Sequence, residues 1–231
     1  MGPSGGQPAH RTAHVAPTLN REVLVADDIA AAAADIFLRE RPRTVALAGG
    51  RTPRTLYALL ATKAYDWPAM DVFFTDERCV SPDHPASNFR MAHETLLSKV
   101  TARVHRMPGE TCDASAYEHE LRRVLGQDLP AFDLVFLGIG ADGHTASLFP
   151  GDPALEETRR LVVKVARPDH SRLTLTLPVL CATRLAVFLV SGAEKRDALQ
   201  RVLAGENLPA ARVAARRMVV IADLAAAPGS D

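Results

Sequence analysis

The richest chemistry in the chain lies in one stretch, FDLVFLGIGADGHTASLFPG, from Phe132 to Gly151. Asp142 and His144 stand two residues apart among Gly138, Gly140 and Gly143. An imidazole with an ordinary pKa of about 6.5 suits a general base or acid at neutral pH. Glycines let the main chain take angles that other residues avoid and approach a ligand closely. Taken alone, a histidine in such a turn is also an ordinary surface residue. Three further turns offer complementary groups. Gly49-Gly50-Arg51-Thr52 precedes a helical pattern, so bare amides, a hydroxyl and the positive end of a helix dipole could hold an anion. Asp76-Glu77-Arg78 brings two carboxylates and a guanidinium, and the guanidinium can grip a phosphate or a developing oxyanion by a forked hydrogen bond. Lys195 falls early in a helical pattern, where a cation opposes the dipole unless it faces an anion. Arg172 opens an alternating strand and could reach the same place. Each has a plain alternative: a strand-to-helix turn, a salt-bridge cluster, a solvated lysine, an edge charge.

The secondary structure that would carry these residues is read from the apolar pattern. Phe132 to Leu137 is a nearly unbroken apolar run, as in a parallel strand buried on both faces. Strands are also predicted over 21–25, 44–48, 70–75, 161–166, 172–177, 185–190 and 217–221. Asp27 or Asp28 caps a helix over 29–39. Thr52 caps a second over 54–63, with Pro53 as its first residue. Ser87 caps a third, to about Leu97. Two more cover 113–125, stopped by Gly126, and 193–203. The alternation predicts one α/β domain over 21–231 with a largely parallel sheet, 161–177 supplying an antiparallel part. Residues 1–20, rich in Pro and Gly, read as a disordered tail, with His10 and His14 as tail residues. All four turns end buried strands. Parallel strands put those ends on one edge, where ligands bind, so residues far apart in sequence can share one crevice.

Composition narrows the class. With 27 basic and 27 acidic residues in 231, the chain has no net charge, and nothing recommends nucleic acid or an anionic membrane as partner. No apolar run approaches the roughly 18 residues of a membrane span, and the polar N-terminus lacks a signal-peptide core. A cytoplasmic protein is expected. Cys79, Cys112 and Cys181 are widely spaced and fit neither a disulfide framework nor a zinc ribbon; Cys79 reads as a small packing residue. His84, His93, His105, His119 and His170 read as surface residues. Gly138-x-Gly140-x-x-Gly143 matches a dinucleotide fingerprint, but it lies mid-chain, and Phe149-Pro150-Gly151 cuts the following helix to about a turn.

In this order, AGGRTP (48–53), TDERCV (75–80), Ser87-Asn88, LGIGADGHTASLFPG (137–151), RLTLTLP (172–178) and SGAEK (191–195) resemble the 6-phosphogluconolactonase family. The resemblance implies a Rossmann-like three-layer α/β sandwich with a mostly parallel sheet. It implies hydrolysis of 6-phospho-D-glucono-1,5-lactone to 6-phosphogluconate, the second step of the pentose phosphate pathway. The related glucosamine-6-phosphate deaminases typically carry a glutamate and an asparagine after the histidine, where this chain has Ala146-Ser147-Leu148-Phe149-Pro150. They also favour a tyrosine where this chain has Arg78. The usual phosphate loop of the lactonases is Ser-Gly-Gly-Ser-Thr-Pro; Ala48 and Arg51 replace both serines here. Ile221 stands where a tryptophan is often found. A lactone is an activated ester, so its hydrolysis requires an oriented water, a base and an oxyanion partner, with no cofactor or metal expected. His144, Arg78 and Asp142 are the expected catalytic residues. Gly49, Gly50, Arg51, Thr52, Asp76, Arg172 and Lys195 are expected to bind substrate and phosphate. The expected partner is a small phosphosugar lactone, and the expected state a monomer or weak homodimer. A phosphosugar sensor without turnover could share this fold; the complete Asp142-Gly143-His144 set and the want of a DNA-binding segment argue against it.

Overall fold

The computed structural model describes residues 21–228, so the tail expected over 1–20, with His10 and His14, lies outside the described residues. Ten strands occur among them: β1 (Arg21–Val25), β2 (Thr44–Leu47), β3 (Asp71–Phe74), β4 (Asp76–Arg78), β5 (Arg103–Val104), β6 (Leu134–Leu137), β7 (Val162–Val165), β8 (Arg172–Leu175), β9 (Leu185–Val190) and β10 (Arg217–Ala222). The α-helices are α1 (Ile29–Glu40), α2 (Arg51–Leu60), α3 (Asn88–Thr95), α4 (Ala114–Leu125), α5 (Leu177–Ala182), α6 (Arg196–Leu203) and α7 (Pro209–Arg212). Seven strands form the central sheet in the order β1-β10-β9-β6-β2-β3-β5, every pair parallel. Helices cover both sides of it, giving the expected Rossmann-like three-layer sandwich. None of the described helices is long and apolar enough to cross a membrane.

The core explains the pattern. Every residue of LVFL in β6 and LAVFLV in β9 is buried, as strands covered on both faces require. Helix α1 is alanine-rich, and Asp28 caps it by accepting from the Ala31 N–H at 2.9 Å. Its Phe37 ring is buried and stacks on Phe136 of β6 at 6.4 Å. Burial of such a side chain contributes about 1.5–3 kcal/mol. Helix α2 starts earlier than expected. Gly50, at φ 111, is its cap, and Thr52 and Pro53 lie within its first turn. That turn needs no proline N–H, so Pro53 is tolerated there, while an L side chain at position 50 would be strained.

Three expectations need correction. Asp76-Glu77-Arg78 is a strand rather than a plain turn: β4, β8 and β7 form a second, antiparallel sheet, with Arg78 opposite Arg172. Its charges hid it, because Asp76 and Glu77 are buried at 6% and 3% exposure among hydrogen-bond donors. Cys79 and Cys112 form a disulfide, with Cα atoms 5.0 Å apart although 33 residues separate them; linear spacing does not report that the end of β4 runs beside the loop before α4. His105 is not a surface residue. Its ring is 10% exposed, stacks on Phe73, and lies within 2.9 Å of Asp71 and 2.6 Å of Glu120.

Candidate active site

Strands β9, β6, β2 and β3 are neighbours in the sheet, so the turns after them share one edge. Together with β4 and β8 they enclose a cleft of about 320 Å³, near the lower end of ordinary ligand sites. Nine residues singled out from the sequence line it: Gly49, Gly50, Arg51, Thr52, Asp76, Arg78, His144, Arg172 and Lys195. Asp142, the tenth, contacts His144 instead.

The turn after β6 is closed by its own backbone. The Gly143 N–H donates to the Gly140 carbonyl at 2.9 Å, and the Gly140 N–H to the His144 carbonyl at 2.8 Å. Gly143 sits at φ 83 with Leu208 packed where a side chain would go, and a Cβ at Gly140 would overlap both the His144 ring and the Asp142 carboxylate. Glycine is therefore a steric requirement at both positions. Asp142 Oδ1 accepts from the His144 N–H at 3.1 Å and lies 2.6 Å from Nδ1 of the ring. A carboxylate can only accept, so the proton sits on Nδ1 and the lone pair on Nε2. Burial pushes the Asp142 carboxyl up, but the two hydrogen bonds and charge from His144 outweigh it and hold it below the usual range. Phe149 packs its buried ring on the imidazole at 4.6 Å, and Arg167 caps that ring at 4.0 Å. The imidazole thus has a fixed tautomer and a braced ring, and is one third exposed.

The cleft is also rich in cations. Arg51, Arg78, Arg172 and Lys195 line the cleft, and of these Arg172 alone pairs with a carboxylate, Asp169 at 2.7 Å, among the described residues. The Arg172 side chain is 13% exposed, and its buried Nε has no partner among the described residues. Directly opposed like charges such as Arg78 and Arg172 disfavour a strand pair unless an anion lies between them. At the mouth of α2 no side chain caps the helix, so its first amides face the cleft edge where Gly49 and Gly50 turn. Tyr57 anchors this turn from below, its buried hydroxyl donating to the Ala48 carbonyl at 2.9 Å; burial raises its pKa well above the ordinary value. The Ser191-Gly192 turn is held by Asp223, which accepts from Ser191 Oγ at 2.6 Å and from the Gly192 N–H at 3.0 Å. Burial raises the Asp223 carboxyl, and these bonds with that of Ala226 bring it below its ordinary value.

The turn chemistry alone does not single out Asn88 or Ser147, and Glu77 enters it only as a member of the Asp76-Glu77-Arg78 cluster. Asn88 borders the cleft beside Arg78. Ser147 donates to Asp76 Oδ2 at 2.6 Å, tying the histidine loop to β4. Glu77 is a buried carboxylate that accepts from three backbone N–H groups and a hydroxyl. Burial pushes its pKa up, only partly offset by those donors. The one sequence signal is a polar pair, Ser87-Asn88, at a helix start a few residues after an acidic strand.

The model of a family described as glucosamine-6-phosphate isomerases/6-phosphogluconolactonase matches residues 21–222. A 6-phosphogluconolactonase of Synechocystis sp. is 46% identical over 176 residues, 72% of this chain and 73% of that one. Another, from Nostoc sp., is 36% identical over 205 residues, 84% and 85% of the two chains. Among solved structures, a 6-phosphogluconolactonase from Trypanosoma cruzi superposes with a TM-score of 0.83 at 28% identity, over 92% of this chain and 98% of that one. A monomeric glucosamine-6-phosphate deaminase shares the fold, with a TM-score of 0.75 at 21% identity over 90% and 98%.

Proposed function

Because the chain belongs to the family of glucosamine-6-phosphate isomerases and 6-phosphogluconolactonases, we propose a residue-by-residue account of how its cleft works. The chain is a 6-phosphogluconolactonase: it hydrolyses 6-phospho-D-glucono-1,5-lactone to 6-phosphogluconate in the pentose phosphate pathway. His144 is the general base. Its Nε2 takes a proton from water as the water attacks the lactone carbonyl carbon. The negative charge that develops on the carbonyl oxygen is met by Arg78 or by amides of the glycine turn. The C–O bond to the ring oxygen then breaks, and the imidazolium returns its proton to that oxygen. Asp142 keeps Nδ1 protonated throughout and stabilises the imidazolium. The phosphate sits at the other end of the cleft, on the amides of Gly49 and Gly50, Thr52 and the cations Arg51, Arg172 and Lys195. Anchoring it there fixes the carbonyl near His144, an orientation effect. Asp76 faces the sugar hydroxyls.

The observation that carries this reading is the 2.6 Å Asp142–His144 pair at the rim of a cleft lined by four cations. The deciding experiment is a pH-stat assay with freshly made 6-phosphogluconolactone, corrected for spontaneous opening, on the wild type and on His144→Ala. Acid release at the background rate by the wild type would overturn the reading.

A further inference from the structure

Asn88 is 3% exposed, and its two amide atoms serve different neighbours. Oδ1 accepts from Arg78 Nη1, and Nδ2 donates to the Asp76 carbonyl at 2.8 Å. Chemistry dictates this orientation, since a guanidinium can only donate and a carbonyl can only accept. A carboxylate at position 88 would face the Asp76 carbonyl with an acceptor, and an aliphatic residue would take one hydrogen bond away from each neighbour. The backbone of Asn88 is fixed as well. Its N–H donates to Glu77 Oε1 at 2.7 Å, while Glu77 Oε2 takes the Phe89 N–H at 2.8 Å and the Ser87 hydroxyl at 2.9 Å. Glu77 thus sits at the N-terminus of α3, where the helix dipole favours a negative charge. On its remaining side the amide packs on Gly49, where a Cβ would overlap it. The turn after β2, strand β4 and the start of α3 all converge on this one side chain.

We infer that Asn88 is a positioning residue for lactone hydrolysis, holding the Arg78 guanidinium at the rim of the cleft against the repulsion of the opposed Arg172. The inference rests on the role given to Arg78 above. Without the amide oxygen, Arg78 retains one side-chain contact among the described residues, the Ala86 carbonyl at 3.2 Å. The guanidinium then swings toward solvent, and the carbonyl oxygen of the substrate loses a prepositioned partner.

The test is a double-mutant cycle read as kcat and KM separately. Asn88→Ala should lower kcat roughly tenfold or more, the scale for removing a buried hydrogen bond to a charged group. Arg78→Ala should lower it at least as far, and the double variant should match Arg78→Ala within about twofold, because the amide acts through the guanidinium. Multiplied losses in the double variant, or a rise in KM alone for Asn88→Ala, would overturn the inference. If Arg78→Ala is impaired and Asn88→Ala is not, this inference fails while the reading of Arg78 stands. Wild-type kcat in Arg78→Ala sinks both. Should Asn88→Ala fail to fold, Asn88→Ser carries the same cycle.

Discussion

Two turns at neighbouring strand ends, after β2 and after β6, are both built on glycine and do opposite things with it. After β2, Gly49 and Gly50 lead straight into the ten-residue helix α2, and the chemistry is that of the backbone. After β6 the chain does not enter a helix. It folds back through an isolated bridge between Thr145 and Leu148, and the chemistry is that of side chains. In the proposed mechanism the first kind of turn presents amides and a dipole to a group already charged in the ground state, and the second presents an imidazole in one tautomer to a proton that moves only during reaction. Glycine can thus serve binding or catalysis on the same sheet edge, depending on whether a helix or a bridged loop comes next.

This division of labour between the turns is open to experiment. The largest expected effect is at the second turn: His144→Ala should lower kcat by about 10²-fold or more, the usual scale for an acid–base group, with KM little changed. A near-wild-type kcat in stopped-flow or pH-stat assays removes His144 from the mechanism. Gly140→Ala should come next, with a fall in kcat of roughly tenfold or more, because displacement of a reacting group by even an ångström is costly. Retention of full activity would mean that the ring has another seat. At the phosphate side the sign of the split should reverse. Lys195→Ala should raise KM about tenfold with kcat nearly constant, as loss of uniform binding requires; an unchanged KM would refute the assignment. The smallest effect lies far from both turns. Arg123 chiefly, helped by His105 and opposed by burial, holds the Glu120 carboxyl at about 2, below its ordinary 4.5. A depressed folded-state pKa contributes stability that is present above about pH 4.5 and is lost as pH falls toward 2. Glu120→Gln should therefore flatten the fall of Tm with acid in that window, and an unaltered profile would count against the ion pair.

Much of this fold is legible in the sequence. The bounds 185–190 match β9, where burial on both faces leaves a plain apolar signature, the bounds 21–25 match the exposed edge strand β1, and the four turns predicted to share an edge do share it. What was hidden depended on partners distant in sequence. Strand β4 is written in charges that become acceptable only beside the donors of α3 and Ser147. Strand β5 is two residues long, too short for any period to register. The short helices α5 and α7 begin beside Pro178 and Pro209, which in sequence read as breaks. The ten candidate site residues were recognised by chemical type and turn position, whereas Asn88 acts through an amide whose two neighbours, Asp76 and Arg78, meet it only once β4 is folded against α3.

The order of the central sheet also constrains biosynthesis. Arg21 pairs with Met218 and Leu134 with Leu185, so β1 waits for β10 and one wall of the cleft waits for β9. Contacts so distant along the chain are closed late and slow folding. On a ribosome adding about 5–20 residues per second, the glycine turn of His144 is exposed well before its supporting neighbours exist. The nascent chain must therefore carry an apolar strand, β6, open on one side for several seconds, and catalytic competence arrives only when β9 and β10 close the sheet.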